Sequence, residues 1–281
     1  PDSADLSDED LIAEEDVVVT ISHAGYIKRN PVTEYRSQRR GGKGVVGATT
    51  REEDFVEHMF ISSTHAFLLF FSSIGKVHWV KVHEIPPGSR TAKGKAIVNL
   101  LPLQDGEKIS SFLPIREFQD DHFIFFATRK GQVKKTELMA YANPRRGGII
   151  ALALGADDEV IRAQLTDGRQ EVLLSTKKGK AIRFAEGEVR ATGRGTFGVR
   201  GITLEEKDEV VSLEILNQEA TLLTVSSLGY GKRSSLGAYR VQSRGGKGAS
   251  TMRTTEKTGE VRGVRQVTEN DHLMLITDGG K

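Results

Sequence analysis

Seven residues, Gln38-Arg39-Arg40-Gly41-Gly42-Lys43-Gly44, hold the densest chemistry in the sequence. Arg39, Arg40 and Lys43 bring positive charge, and the glycines beside them let the backbone approach a partner closely because no Cβ holds it away. Such a cluster suits contact with a phosphate chain, where charge and close approach matter and base identity does not. On its own it has a plain alternative as a solvated basic loop.

The elements that position this loop repeat. An apolar, β-rich run followed by a turn glycine occurs six times: Val17–Ile21 before Gly25, Phe67–Phe71 before Gly75, Phe123–Phe126 before Gly131, Val172–Leu174 before Gly179, Leu222–Val225 before Gly229 and Leu273–Ile276 before Gly279. The glycines are spaced by 50, 56, 48, 50 and 50 residues. Each run reads as a strand entering a hairpin, and the segment after it, such as Lys76–Val80 or Lys180–Phe184, reads as a returning strand with one wet face. Further strand candidates follow, for example Val199–Leu204 and Val210–Leu216, giving about four strands per unit. An all-β fold with this period is expected to set its units as blades around an axis.

Counting from the turn glycines puts the opening cluster in a series. Fifteen residues after each of the first five stands arginine: Arg40, Arg90, Arg146, Arg194 and Arg244. Nineteen residues after stands Gly44, Gly94, Gly198 or Gly248, with Ile150 the exception. Further cations accompany them: Lys28 and Arg29, Lys93 and Lys95, Lys134, Lys135 and Arg145, Lys178 and Lys180, and Lys232, Arg233 and Lys247. On a radial fold these side chains are expected on a basic rim that holds phosphates and bends duplex DNA with little regard to sequence. The alternative for any one of them is a solvated charge that discourages edge-to-edge pairing of strands.

Charge distribution agrees. The 281 residues carry a net charge of +2, but residues 1–16 hold eight acids and no Lys or Arg, leaving the remainder with 40 bases against 30 acids. A body this basic attracts a polyanion through its summed field. Residues 1–9 read as an acidic linker and 10–281 as one domain. The chain has no cysteine, which excludes disulfides and thiolate chemistry. No apolar run approaches the roughly eighteen residues of a membrane helix, and no signal pattern opens the chain, so a cytoplasmic, non-membrane protein is expected.

Sharper motifs fail on context. Gly42–Gly47 and Gly193–Gly198 match G-x-G-x-x-G, yet neither follows an apolar strand directly or opens a helix. The seven histidines have no metal-ligand spacing, and Tyr26, Tyr35, Tyr141, Tyr230 and Tyr239 have no acid cluster for metal-assisted strand cleavage. No catalytic residue, metal site or cofactor site is expected.

The string Gln38–Gly44, set in the first of six units, resembles the box motif that marks the C-terminal domain of the gyrase A protein, one of the bacterial type IIA DNA topoisomerases. The similarity runs from about Asp8, through Glu15–Thr20 and Ile97–Leu103 to Gly229–Arg233, and Arg244–Gly248 resembles a partial second box. The corresponding protein of topoisomerase IV, which has related units without an intact box, is the alternative within the family. A protein-binding propeller is the alternative from another class, and an aromatic content of 6% speaks against it.

This resemblance implies a six-bladed β-pinwheel that binds, bends and wraps double-stranded DNA around its rim, with Gln38–Gly44 near the closure of first and last blades. It implies a domain without catalysis of its own inside an A2B2 DNA gyrase holoenzyme that introduces negative supercoils. The nucleophilic tyrosine and the ATPase, with their ATP and Mg, lie outside this chain, and the isolated domain is expected to be a monomer in the cytoplasm, associated with the nucleoid. The sixth unit is incomplete at Lys281, and Asp10–Glu15 is a candidate to pair with that last blade.

Overall fold

The computed structural model describes residues 11–34, 54, 56–89 and 91–271. Within them the chain forms five antiparallel sheets, each built on one of the expected hairpins. In blade 1, Asp16–Ser22 pairs with Tyr26–Pro31, and in blade 2 Phe67–Ser72 pairs with Lys76–Lys81. Blades 3 to 5 pair Phe123–Thr128 with Gln132–Glu137, Glu171–Thr176 with Lys180–Ala185, and Thr221–Ser226 with Gly231–Ser235. The sixth apolar run and Gly279 fall outside the described residues, so the described architecture is five-bladed.

The turns follow from local chemistry. Gly25, Gly75, Gly131, Gly179 and Gly229 all have φ between +79° and +83°, a left-handed conformation that glycine adopts without steric cost. Three residues earlier stands Ser22, Ser72, Thr128, Thr176 or Ser226, whose hydroxyl accepts the backbone N–H that follows the glycine at 3.1–3.3 Å. The S/T-x-x-G pattern therefore fixes the hairpin before any packing.

Each hairpin is completed by strands from elsewhere. Its first strand pairs with a long strand from the following stretch: Val56–Ser63, Ile109–Ile115, Val160–Thr166, Val210–Ile215 and Val261–Val267 for blades 1 to 5. Its second strand receives only two residues, and these come from the next unit's loop. Lys95–Ala96 joins blade 1, Ile149–Ile150 blade 2, Val199–Arg200 blade 3 and Ala249–Ser250 blade 4. Blade 5 has three strands among the described residues.

The core lies between blades and not within them. Because side chains alternate across a strand, Leu68 and Phe70 pack against blade 1 while Leu69 and Phe71 pack toward blade 3. Phe125 and Ala127 likewise join Leu174 and Ile182 of blade 4, while Ile124 and Phe126 face back. Both faces are buried, which is why the runs read as continuously apolar. Each such Phe or Leu contributes roughly 1.5–3 kcal/mol of burial. Side chains also lace the long strands: the Ser111 hydroxyl donates to the Ala163 carbonyl at 3.2 Å, and that of Ser212 to the Val264 carbonyl at 2.9 Å.

Residues 11–15 lie against the start of blade 2, while the sixth unit that Asp10–Glu15 is a candidate to join lies outside the described residues. The Thr64 hydroxyl donates to the Ala13 carbonyl at 2.8 Å, and Arg116 pairs with Glu14 at 3.0 Å, so the segment is held at the start of blade 2. His78 is buried with its Nε2 3.1 Å from Glu107, a pairing that the scattered histidines did not announce.

Candidate nucleic-acid interface

The box residues Gln38, Arg39, Arg40, Gly41, Gly42, Lys43 and Gly44 lie outside the described residues, as does Arg90. The other expected cations divide into three groups.

The first group is internal. Four residues after the turn glycine, Arg29, Trp79, Lys135 and Arg183 each donate to backbone carbonyls of the neighbouring blade's short 3-10 turn or its edge. Arg29 Nε donates to the Ile85 carbonyl at 2.7 Å, Trp79 Nε1 to Tyr141 at 3.0 Å, Lys135 Nζ to Glu186 at 3.2 Å, and Arg183 Nη1 to Leu236 at 2.9 Å and Tyr239 at 3.1 Å. One position earlier, Lys28 donates to the carbonyls of Ser89 and Ala92, and Lys134 to those of Ala151 and Arg194 and to the Thr136 hydroxyl. Lys28, Lys134 and Lys135 are buried, so the expectation that they face DNA is corrected: they fasten one unit's loop onto the previous blade. Burial, and then the charge of Arg194, bring the Lys134 ammonium down to about 8, and burial lowers Lys28 against the pull of Glu34.

The second group lies at the hairpin tips. Lys178 is exposed beside the tip, and Lys180 follows it. Acidic loops cover this end: Asp54, Asp158 and Asp208 accept the tip N–H groups of Ala24, Lys130 and Lys178 at 2.8–3.0 Å. Lys180 pairs with Glu205, Lys177 with Glu260, and Arg129 with Glu159 and Glu209, at 3.2–3.8 Å. Positive charge there is balanced locally.

The third group occupies the outer loops after each 3-10 turn together with the two-residue strands that end them. Lys93, Lys95, Arg145, Arg146 and Lys247 are exposed, and Arg194 and Arg244 half-buried. Lys93 Nζ stands 3.7 Å from the centre of the Tyr26 ring. Arg190, Arg200 and Arg240 are exposed in the same loops and were missed by the sequence reading. Counting would have found two of them, since Arg190 and Arg240, like Arg36, stand eleven residues after a turn glycine. Lys232 and Arg233 are exposed on the outer strand of blade 5, where Lys232 reaches the Thr251 carbonyl at 3.3 Å and Arg233 pairs with Glu269 at 2.8 Å.

These loops join into a belt. Ala153 N–H donates to the Thr196 carbonyl at 3.0 Å, Thr203 N–H to Gly246 at 2.9 Å, and Gly245 N–H to Gly201 at 2.7 Å. Arg244 adds bonds from Nε to the Glu188 carbonyl and from Nη1 to that of Arg200. The recurring glycine explains how the loops reach the blades. A Cβ on Gly94, Gly198 or Gly248 would stand 2.5–2.7 Å from the carbonyl of Ile27, Val133 or Ala181. The third loop is two residues shorter, and Gly148 takes this place against the Val77 carbonyl, which accounts for Ile150 at the counted position. Among the described residues no group of His, Asp or Glu is placed to hold a metal ion, and no helix is long and apolar enough to cross a membrane.

Bonded loops presenting cations that form no ion pair among the described residues are suited to phosphates spaced along a curved polyanion. Comparison with known proteins agrees with this geometry. The family described as "DNA gyrase C-terminal domain, beta-propeller" matches residues 16–63, 66–116, 122–167, 170–217 and 220–268, one match per observed blade. The DNA gyrase A protein of Salmonella typhimurium is 48% identical over 99% of this chain, and that of Escherichia coli 46% over 99%; the chain spans 32% of each. Among solved structures, a DNA gyrase A C-terminal domain aligns with a TM-score of 0.79 at 29% identity, covering 92% of this chain and 84% of that one. The C-terminal domain of a DNA topoisomerase IV aligns at 0.73 and 30%, covering 92% and 79%. With a sequence match repeated on all five blades, the chain belongs to the DNA gyrase C-terminal domain family of beta-propellers.

Proposed function

We propose that this chain binds duplex DNA along its outer belt and bends the duplex around itself, serving as the wrapping part of a DNA gyrase A protein. The observation that carries the reading is the recurrence of cations at fixed offsets on two outer loops bonded to each other: exposed Arg190 and half-buried Arg194 in one, exposed Arg240 and half-buried Arg244 in the next. Cations locked in a repeat hold phosphates in register along an arc, so binding energy is converted into curvature. The box Gln38–Gly44 shares this loop class by its spacing and sets the geometry of the wrap where first and last blades meet.

On this reading the chain has no catalytic residue. It serves a bacterial, cytoplasmic holoenzyme of gyrase A and gyrase B proteins in which strand cleavage and ATP hydrolysis, with their Mg and ATP, are supplied elsewhere. The sequence period supports a sixth blade in the same reading, since Leu273–Ile276 and Gly279 repeat the hairpin signature.

Plasmid relaxation by a nicking-closing enzyme tests the proposal. Bound chain is expected to leave a shift in linking number after deproteinisation, together with an affinity that falls steeply with salt. A flat salt dependence, or binding without any change of linking number, overturns it.

A further inference from the structure

We infer that Phe197 is an apolar wedge that enters the stack of a bound duplex and so selects deformable base steps. The inference rests on the DNA-binding reading above. The residue immediately before the recurring rim glycine is Lys93 in the second loop and Lys247 in the fifth, Gly147 in the shorter third loop, and Phe197 in the fourth. Phe197 is 65% exposed, and Val199, two residues on, is 41% exposed.

Its loop is not free to fold the ring away. The Thr196 carbonyl accepts the Ala153 N–H at 3.0 Å, and the Thr196 hydroxyl donates to the Gly193 carbonyl at 2.8 Å. On the other side Gly198 is pressed against the Val133 carbonyl, where a Cβ would stand 2.7 Å away. Backbone is thus fixed immediately before and after Phe197, which with Leu154, Lys130 and Asp158 lines a cavity of about 200 Å³ and remains 65% exposed. Arg190, Arg194 and Arg200 lie in the same loop and strand.

An exposed aromatic side chain fixed in a loop and strand that also carry Arg190, Arg194 and Arg200 matches a duplex better than an acidic or apolar protein surface. The cations fix phosphates on either side, and the ring meets the groove between them. Proteins that bend DNA insert Phe or Leu between steps in this way, and pyrimidine–purine steps yield most readily. The other loops, with Lys or Gly at this position, hold phosphate without such a contact, so the fourth loop is where the wrap takes its register on sequence.

A linear duplex carrying 2-aminopurine beside a single pyrimidine–purine step reports unstacking as fluorescence. Wild-type chain is expected to raise the signal several-fold and to prefer this duplex over one with a stiff A-tract at the same place. Phe197→Ala is expected to lose both effects while affinity changes by less than about threefold, because phosphate contacts dominate affinity. Phe197→Lys, which installs the residue of the second and fifth loops, is expected to lose the signal and steepen the salt slope by about 0.9. Wild-type binding with no fluorescence rise, or a rise that survives in both variants, overturns the wedge but leaves DNA binding intact. Failure of the wild-type chain to bind either duplex overturns the underlying reading as well.

Discussion

Lys134 of blade 3 donates from Nζ to the carbonyl oxygen of Arg194 at 3.3 Å, so a buried cation holds the loop that carries a half-buried one. Burial keeps its folded-state value at about 8, below the 10.5 of free lysine. Between those values the unfolded chain binds more protons than the folded one, so stability rises as pH increases from about 8 toward 10.5. Chemical denaturation across this window is expected to show the rise in wild type and not in Lys134→Met. Equal slopes in the two proteins exclude Lys134 as its source.

The donors four residues after each turn glycine differ in burial, and that sets their energetic weight. Arg183 is 9% exposed and bonds Glu171, Leu236 and Tyr239, so Arg183→Met leaves buried acceptors unpaired and is expected to cost about 2–4 kcal/mol. Arg233, at the same place in blade 5, is exposed with Glu269 as its ionic partner, and its replacement is expected to cost less than about 1 kcal/mol. Denaturant midpoints of the two variants give the comparison directly.

Backbone approach, rather than charge alone, fixes the belt. Gly248→Ala places a Cβ 2.5 Å from the Ala181 carbonyl on a residue with φ of +72°, and a loss of about 2–3 kcal/mol is expected. Gly195→Ala, with nothing within 4 Å of its Cβ, is expected to stay within about 0.5 kcal/mol of wild type. Thermal melts of this pair separate close approach from loss of glycine flexibility in general.

Exposed and buried cations are expected to differ in DNA binding as well. Replacing Arg190 and Arg240 together by alanine is expected to reduce the slope of log affinity against log salt by about 1.8, if each meets one phosphate. Lys28→Met is expected to leave that slope unchanged, because its ammonium serves the Ser89 and Ala92 carbonyls. Replacing Arg39, Arg40 and Lys43 by alanine is expected to reduce the linking-number shift more than the affinity. Filter binding over a salt series and topoisomer gels read the two quantities separately.

Much of this was legible in the sequence. The turn glycines, the apolar runs and the period of about fifty residues specify the hairpins, because S/T-x-x-G chemistry and alternation are local properties. The two-residue strands were not, since a pair such as Lys95–Ala96 has no period to read and is placed only by the blade it joins. Lys28, Lys134 and Lys135 looked like rim cations because they sit in the polar returning strands Tyr26–Pro31 and Gln132–Glu137, which nothing local marks as covered. The following loops and the next blade's 3-10 turn cover them, and carbonyls there take the place of water. Arg190 and Arg240 were hidden for the opposite reason: each follows an apolar residue, Val189 or Tyr239, without a glycine-rich stretch to draw attention.

The borrowed two-residue strand orders events on the ribosome. Tyr26 finds its outer partner in Ala96, seventy residues later, and Ala181 finds its own in Ala249. A nascent hairpin therefore waits with an open edge until the following unit's loop has been synthesised, and each blade is sealed by its successor. Until that loop is in place, the outer strand of the hairpin offers unpaired backbone groups on which misplaced strand pairing can occur.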